Sequence, residues 1–178
     1  ASSSSVYGQS DNDKFSVSDR TDKPVSLYAA TKKSNELMAY SYSHLFQIQC
    51  TGLRFFTVYG PWGRPDMAPI LFADAISKSR PIKVFNHGKL YRDFTYIDDI
   101  VDGIFKIIEK KSSKNNSNNL YDLFNIGASH PIKLMDFINL IEEKIGAYTD
   151  KQFLPMQNGD VYKTYADVSN LKKEINYS

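Results

Sequence analysis

Residues 24–61 have the sequence PVSLYAATKKSNELMAYSYSHLFQIQCTGLRFFTVYGP, which predicts a helix followed by a buried strand. Pro24 precedes the stretch 26–46, whose length of roughly twenty residues is usual for a globular helix. Residues 49–59 are rich in strand-forming side chains and end at Gly60 and Pro61, as a strand does when it stops at a turn. This unit, together with the segments that follow it, predicts an α/β fold.

The same alternation continues along the chain. Further strands are predicted at 82–85, 91–97, 120–126 and 153–156, and further helices at 68–79, 97–108, 134–145 and 168–175. Strands that alternate with helices imply a sheet covered by helices. Residues 1–5 resemble the end of a strand whose start is missing, and residues 110–119, rich in Lys, Ser and Asn, predict a loop.

The composition excludes several classes of protein. Of the 178 residues, 42% are hydrophobic, which is enough to bury a core, and the net charge of +2 without a basic stripe predicts no nucleic-acid partner. No apolar stretch is long enough to cross a membrane, so no membrane association is expected. A single cysteine, Cys50, and no visible secretion signal favour a cytoplasmic location. His44, His87 and His130 are scattered without ligand spacing, so we predict no metal site.

Tyr28 and Lys32 are the first candidates for chemistry. They are four residues apart at the start of the predicted helix, and side chains at that spacing share one face. An ammonium beside a phenol favours the phenolate, so such a pair can remove a proton near neutral pH. A Tyr and a Lys at this spacing also occur by chance as an exposed surface pair. The pair alone therefore leaves both interpretations open.

Four further motifs accompany the pair in a fixed order. They are SSSSVYG at 2–8, RFFTVYGP at 54–61, YRDFTYIDD at 91–99, and GDV at 159–161 followed by YAD at 165–167. Together with the pair, this set resembles the extended short-chain dehydrogenase/reductase family of NAD-dependent nucleotide-sugar epimerases and dehydratases. The resemblance is greatest to its UDP-glucuronate 4-epimerase branch, and it is dense from residue 1 to about residue 102 and sparser afterwards.

The resemblance implies an enzyme that uses NAD to epimerise C4 of a UDP-sugar, with UDP-glucuronate and UDP-galacturonate as the interconverted pair. Tyr28 would remove the proton from the sugar 4-hydroxyl while a hydride leaves C4 for NAD. Lys32 would support Tyr28 and hydrogen-bond the nicotinamide ribose, so both residues also count as cofactor-binding. Ser3 would hydrogen-bond the 4-oxygen, and Ser4 or Ser5 could share this role as substrate-binding residues.

The resemblance assigns further binding residues after the predicted helix. Phe56 and Thr57 match the strand-end positions that approach the nicotinamide and the sugar. Arg64 matches a basic residue near the glucuronate or the diphosphate, and an ordinary loop arginine is an equal alternative.

The remaining binding residues concern the nucleotide. Phe85 lies where the backbone of relatives contacts uracil, and Asp160 matches the carboxylate that binds the ribose hydroxyls. Arg92 matches the arginine that binds the diphosphate, for which its planar fork is suited. Many relatives place a second arginine just before the Gly-Asp pair, where this sequence has Gln157 and Asn158, so that second contact is in doubt.

The resemblance also implies the architecture: the C-terminal part of a Rossmann-like doubly wound sheet plus a smaller α/β substrate-binding domain. Residues 1–62 would be the remainder of the NAD-binding domain, and residues 63–178 mainly the substrate domain, with some segments returning to the Rossmann sheet. No G-x-G-x-x-G turn, which would hold the NAD pyrophosphate, occurs in the sequence. We therefore expect that an N-terminal segment is missing, that the chain alone is inactive, and that the full-length protein is a homodimer.

Two alternatives remain. A dehydratase or decarboxylase of the same family would carry Asp or Glu just before Val6, where this sequence has Ser4 and Ser5. The lack of an acid there disfavours elimination chemistry. The other alternative is a protein that binds a nucleotide-sugar without turning it over, which the missing glycine-rich turn favours.

Overall fold

The computed structural model describes residues 1–10, 12–110 and 120–177. Within these ranges the strands are β1 (Ser2–Ser3), β2 (Cys50–Phe55), β3 (Thr57–Tyr59), β4 (Ile82–Val84), β5 (Tyr91–Tyr96), β6 (Tyr121–Ile126), β7 (Pro131–Lys133) and β8 (Lys151–Phe153). The α-helices are α1 (Leu27–Phe46), α2 (Ala68–Ser77), α3 (Ile97–Glu109), α4 (Leu134–Ile145) and α5 (Ser169–Ile175). The predicted α/β fold is confirmed. The loop predicted at 110–119 lies outside the described residues, apart from Lys110.

Strands β1, β2 and β6 form a parallel sheet in the order β1-β2-β6. Successive side chains of a strand point to opposite faces, and β2 follows this rule. Arg54 meets Glu36 of α1 on one face, whereas its neighbours Leu53 and Phe55 pack into a core on the other. The helix that carries Tyr28 and Lys32 therefore covers one face of this sheet.

The opposite face of this sheet is closed by the first hydrophobic core. Its buried residues are Val6, Tyr7, Phe15, Phe56, Ile100, Ile126, Ala166, Val168, Leu171 and Tyr177. The core thus combines the start of the chain with α3, β6 and α5. Segments beyond residue 63 pack against this sheet, while the division into domains at 62 and 63 stays a prediction.

The remaining strands form a second layer with its own core. Strand β5 lies between β3, to which it is parallel, and β7, to which it is antiparallel, while β4 and β8 form a parallel pair. Helices α2 and α4 pack on these strands. The buried residues are Phe72, Ile76, Ile82, Val84, Leu90, Phe94, Leu134, Phe137 and Ile138.

The chain passes from one layer to the other at Phe56. The sequence predicts a single strand over 49–59, and this prediction is wrong, because β2 and β3 belong to different sheets. The Phe56 side chain is buried in the first core, and its backbone N–H donates to the carbonyl of Ile126 at 3.2 Å. This buried anchor separates the two strands and places Thr57 at the start of the second layer.

The boundaries of α1 follow from its ends. The Ser26 hydroxyl accepts a hydrogen bond from the N–H of Ala29 at 3.1 Å, which caps the first turn. At the other end Gln47 adopts a left-handed conformation that terminates the helix. Among the described helices none is long and apolar enough to cross a bilayer.

Two predicted elements need correction. The strand expected at 153–156 lies instead at Lys151–Phe153, because these are the residues that find a partner in β4. The three-residue strand β7 was not predicted, since so short a segment carries no periodic signal. Residues 2–3 do form a strand, as expected for the start of the chain, but residues 4–7 continue as a short 3-10 helix.

Candidate active site

The first turns of α1 lie against the start of β1. The Lys32 ammonium is 5.7 Å from the centre of the Tyr28 ring, as their shared helix face requires. The same ammonium donates to the carbonyl of Ala1 at 3.5 Å, so it lies between Tyr28 and the strand. Tyr28 itself is 52% exposed and is therefore accessible to a ligand. We call Ser3, Tyr28 and Lys32 the α1 edge.

The serine run bends from the strand into the 3-10 helix. The Ser3 hydroxyl accepts from the N–H of Ser5 at 3.2 Å and lies 3.2 Å from the Ser5 hydroxyl. Ser3, Ser4 and Ser5 are half-buried, whereas Ser2 is buried and donates to Glu36 of α1 at 2.6 Å. The Ser3 hydroxyl thus caps the turn with one lone pair and donates its proton to Ser5 Oγ, which leaves its second lone pair for a ligand.

A cavity of about 910 Å³ opens in the second layer, between α2 and the strands. Four predicted binding residues line it: Thr57, Phe85, Arg92 and Asp160. Its lining combines apolar side chains such as Leu71, Phe72 and Phe94 with polar ones that converge from separate parts of the chain. This is the usual make-up of a small-molecule site.

Arg92 and Asp160 meet at the wall of this cavity although 68 positions separate them. Arg92 Nη2 donates to Asp160 Oδ1 at 2.7 Å, and Nη1 donates to the carbonyls of Tyr91 and Tyr162 at 2.9 and 3.3 Å. Asp160 Oδ1 also accepts from the N–H of Val161 at 2.8 Å. The geometry brings the pair together as expected, and what the pair binds stays a prediction.

Burial dominates the electrostatics of Arg92. The side chain is only 13% exposed, and this burial lowers the pKa of Arg92 although the charge of Asp160 and its hydrogen bond oppose the shift. A buried guanidinium gains from any added anion, since Coulomb attraction is stronger away from water. The cavity wall therefore holds a buried cation whose charge is paired with Asp160.

Phe56 and Arg64 belong neither to the cavity lining nor to the α1 edge. The Phe56 side chain is buried with Tyr7 and Phe15, so a role in binding a cofactor could fall only to its backbone. Arg64 is exposed and held by Asp66 through bonds of 3.0 and 2.9 Å. These bonds and the Asp66 charge raise the pKa of Arg64, and a smaller effect of Tyr28 shows that the α1 edge is near.

The turn that carries Arg64 depends on Gly60. This residue has φ of +137°, and a Cβ there would lie 2.5 Å from Ile97 Cγ2. Gly60 accepts from the N–H of Gly63 at 3.2 Å, which closes the turn after β3. A side chain at this position would displace α3 or the turn, and with it Arg64.

Sequence reasoning missed three residues that the structure places at these sites. Asp66 and Gln157 line the cavity, and Glu36 is buried beneath the α1 edge. Glu36 has a visible signal, because it follows Lys32 by four residues and so shares its helix face. Gln157 stands where many relatives have an arginine, but no role was assigned to it, and Asp66 has no signal, since only the fold brings its loop to the cavity.

Comparison with known proteins identifies the family. Residues 1–127 match the family model described as the NAD dependent epimerase/dehydratase family. The chain belongs to this family. The match covers the α1 edge, the strand crossing at Phe56 and the Arg92 strand.

One similar protein is UDP-glucuronate 4-epimerase 3 of Arabidopsis thaliana, which is 45% identical over 99% of this chain and 44% of its own length. Protein CapI of Staphylococcus aureus is 50% identical over 99% of this chain and 56% of its own. The chain therefore spans about half the length of the curated relatives it matches.

Solved structures give the same picture. The crystal structure of UDP-glucuronic acid 4-epimerase from Bacillus cereus, in complex with UDP-glucuronic acid and NAD, superposes with a TM-score of 0.90 at 35% identity. The match covers 99% of this chain and 54% of that one. The expected Rossmann-like fold is thereby confirmed.

Proposed function

We propose that the protein interconverts a UDP-sugar and its C4 epimer with NAD as cofactor, and that the sugars are UDP-glucuronate and UDP-galacturonate. The observation that carries the proposal is the α1 edge: an accessible tyrosine, paired with a lysine on one helix face, lies beside a serine-rich strand end. Relatives that bear the name UDP-glucuronate 4-epimerase support the choice of substrate.

The nucleotide would lie in the cavity. Arg92 would donate to the diphosphate through its planar fork, and Asp160 would accept from the ribose hydroxyls, since the two groups are neighbours in UDP. Phe85 and Thr57 line the same cavity and would contact the uracil and the sugar. Before binding, Asp160 holds the guanidinium in place, so the arginine is oriented in advance.

The residues present fit one end of NAD. Lys32 lies at the open side of β1 with an ammonium that can donate to ribose hydroxyls, and the Phe56 backbone ends the neighbouring strand. When bound, NAD supplies a hydride acceptor that later returns the hydride to C4. Residues 1–178 contain no G-x-G-x-x-G turn for the pyrophosphate.

The remaining chemistry falls to side chains of this chain. Tyr28 would take the proton of the 4-hydroxyl, Lys32 would lie beside its ring and hydrogen-bond the nicotinamide ribose, and Ser3 would hydrogen-bond the same sugar oxygen. The sugar must then present its other face, and Tyr28 returns the proton. Arg64, exposed beside Tyr28, supplies a positive charge for the glucuronate carboxylate.

A homodimer is also proposed, on the strength of the outer face of α1. This face exposes Leu37, Met38, Leu45 and Phe46, each by more than half. Contiguous apolar surface on a helix is typical of an interface. Sedimentation of the full-length protein and of Leu45→Glu tests this, and a wild type that sediments as a monomer at micromolar concentration contradicts it. A cytoplasmic location is proposed from the free Cys50.

Product analysis tests the proposed function against its two alternatives. The protein at its natural length is incubated with NAD and UDP-glucuronate, and the sugars are identified by chromatography and NMR. We expect UDP-galacturonate, and no carbon dioxide or unsaturated sugar, because Ser4 and Ser5 provide no acid for elimination. A decarboxylated or dehydrated product identifies the other enzymes of the family, and UDP binding without any product identifies a binding protein.

A further inference from the structure

A buried polar network lies directly beneath the α1 edge. Glu36 accepts three strong hydrogen bonds: from Ser2 Oγ at 2.6 Å, from Arg54 Nε at 2.8 Å and from Arg54 Nη2 at 2.9 Å. Lys33 adds a fourth at 3.2 Å. Glu36 is 5% and Arg54 1% exposed, so both charges are removed from water. One carboxylate thus joins α1 to β1 and β2.

The network continues through the sheet. The Arg54 guanidinium stacks on the Tyr7 ring at 4.8 Å, and Tyr7 donates to Asn125 Oδ1 of β6 at 2.6 Å. Asn125 in turn donates to the carbonyl of Phe15 at 2.7 Å. All three strands of the sheet and the loop after the 3-10 helix are therefore fixed relative to one carboxylate on α1.

Stability alone does not explain why this network is buried. Replacing a buried ion pair with packed hydrophobic residues is often neutral or stabilising. Arg54 Nη1 is buried without a hydrogen-bond partner among the described residues, which adds a further cost. Unlike a hydrophobic contact, the Glu36–Arg54 pair is directional, because a bidentate bond fixes the distance and the angle between two elements.

The network fixes the position of α1 close to the residues of the α1 edge. Glu36 follows Lys32 by one helical turn and Tyr28 by two, and Ser2 is the residue before Ser3. The Ser2–Glu36 bond therefore sets the position of α1 along β1 next to the predicted reacting groups. A shift of α1 would move Tyr28 and Lys32 together while Ser3 stayed with its strand.

We propose that Glu36 and Arg54, with Ser2, are positioning residues that hold Tyr28 and Lys32 at the distance from Ser3 that proton transfer at the 4-oxygen requires. This inference rests on the proposed function. The hydrogen bonds of Arg92 and Asp160 go to each other, to the carbonyls of Tyr91 and Tyr162 and to the N–H of Val161, and none of them involves Glu36, Arg54 or Ser2. Disturbing the network should therefore lower turnover and leave nucleotide binding intact.

Three variants of the full-length protein test the inference. Ser2→Ala removes the strand bond and keeps the ion pair, so it is the mildest. Glu36→Gln keeps the shape and removes the charge. The double variant Glu36→Met with Arg54→Met removes both charges, and its stability should equal or exceed that of Glu36→Gln. We expect kcat to fall in all three, by up to roughly 100-fold, since a displacement of about 1 Å can cost that much.

The matched control is Glu142→Gln. Glu142 is also a helix carboxylate, 2% exposed, and accepts from Lys151 at 2.7 Å, but it lies in α4 away from the α1 edge. Glu142→Gln should lose thermal stability and keep kcat. KM for UDP-glucuronate and the Kd of UDP should stay within about twofold of wild type in every variant, as a purely positional defect predicts.

The outcomes separate the inference from the proposed function. A stable double variant with wild-type kcat overturns the inference, because the pair would then serve folding only. Unchanged kcat in Ser2→Ala together with a loss of UDP affinity in Glu36→Gln overturns it as well. A wild type that forms no UDP-galacturonate overturns the proposed function itself, and the inference falls with it.

Discussion

The α1 edge and the Arg92 cavity are constructed in opposite ways. The α1 edge joins residues from two adjacent elements, and its tyrosine is 52% exposed. The cavity joins residues from distant parts of the chain, such as Arg92 and Asp160, which are 68 positions apart, and the Arg92 side chain is 13% exposed. Proton transfer needs a group that the substrate can reach, whereas recognition of a phosphate is stronger where water is excluded.

One buried carboxylate lies beneath each region, Glu36 under the α1 edge and Asp93 under the cavity. Their pKa values are shifted in opposite directions. Burial alone would raise the pKa of Glu36, but hydrogen bonds from Arg54 and Ser2 and the Arg54 charge lower it. Burial raises the pKa of Asp93, because only backbone N–H groups, such as those of Ala166 and His130, oppose it. The α1 edge thus rests on a charge pair and the cavity on a carboxylate bound by backbone. Substitutions in each region test this difference between the α1 edge and the cavity.

The largest effect is expected from Tyr28→Phe in the α1 edge. The loss of the group that moves the proton should lower kcat by roughly 10²- to 10⁴-fold. The Kd of UDP should not change, because the hydroxyl lies outside the cavity lining. The measurement is kcat with UDP-glucuronate, alongside a UDP titration.

Tyr42→Phe is the control for this substitution. Tyr42 is an exposed tyrosine of the same helix, and its ring contacts Phe46. It should keep the wild-type kcat. Equal loss in both variants would assign the effect to the helix and remove Tyr28 from the chemistry.

The next effect concerns Arg92→Ala in the cavity. Charge-assisted hydrogen bonds contribute roughly 1.5–3 kcal/mol, so the Kd of UDP should rise by about 10- to 150-fold. Titration calorimetry at fixed salt measures it. Arg20→Ala, which removes an exposed arginine paired with Asp22, should bind UDP like the wild type. Equal affinities of Arg92→Ala and Arg20→Ala would exclude Arg92 from the nucleotide site.

The smallest effect is on stability in acid. The pKa of Glu36 is lower in the folded state than its ordinary value of 4.5, so the unfolded chain binds the proton first as the pH falls. The stability that Glu36 contributes is full above pH 4.5 and is lost as the pH falls through the folded pKa. Denaturant unfolding between pH 3 and 6 should show a shallower decline in Glu36→Gln, within roughly the titration range of a carboxyl group. An unchanged slope would contradict the pairing of Glu36 with Arg54.

For Asp93 we predict the opposite dependence of the free energy of unfolding on pH, so this residue is the internal reference. Its pKa is raised in the folded state, so its contribution falls as the pH rises above the ordinary value of 3.8. This component should persist in Glu36→Gln. Two buried carboxylates, one under each region, therefore have distinguishable signatures in the same unfolding experiment.

The sequence predicted the elements that local rules determine. Helix α1 was expected from the preceding Pro24 and its length, and α3 and α4 from the spacing of their apolar residues. Each begins and ends within about two residues of its predicted bounds. The split at Phe56 could not be predicted, because residues 49–59 have one uniform strand pattern and only the burial of Phe56 divides it. Strand β8 was misplaced because its partner β4 lies about seventy residues earlier and selects the pairing segment.

The site divides in the same way. The i, i+4 spacing of Tyr28 and Lys32 required nothing but the helix, and Glu36 could have been found by extending it one turn. The convergence of Arg92 and Asp160 came from motif resemblance and not from any local rule. Asp66 lines the cavity through a loop whose course depends on tertiary packing, so no pattern in the sequence indicated it, whereas Gln157 was noted only as a departure from the motif of relatives.

The central claim is that the α1 edge and the cavity serve one reaction at C4, and isotopic labelling tests it most directly. UDP-glucuronate carrying deuterium at C4 is converted in ordinary water by the protein at its natural length with NAD, and the product is analysed by NMR. We predict UDP-galacturonate with the deuterium retained at C4, because a hydride that leaves C4 and returns to the opposite face does not exchange with water. Loss of the deuterium to solvent would contradict this mechanism. A decarboxylated or dehydrated product would contradict it as well.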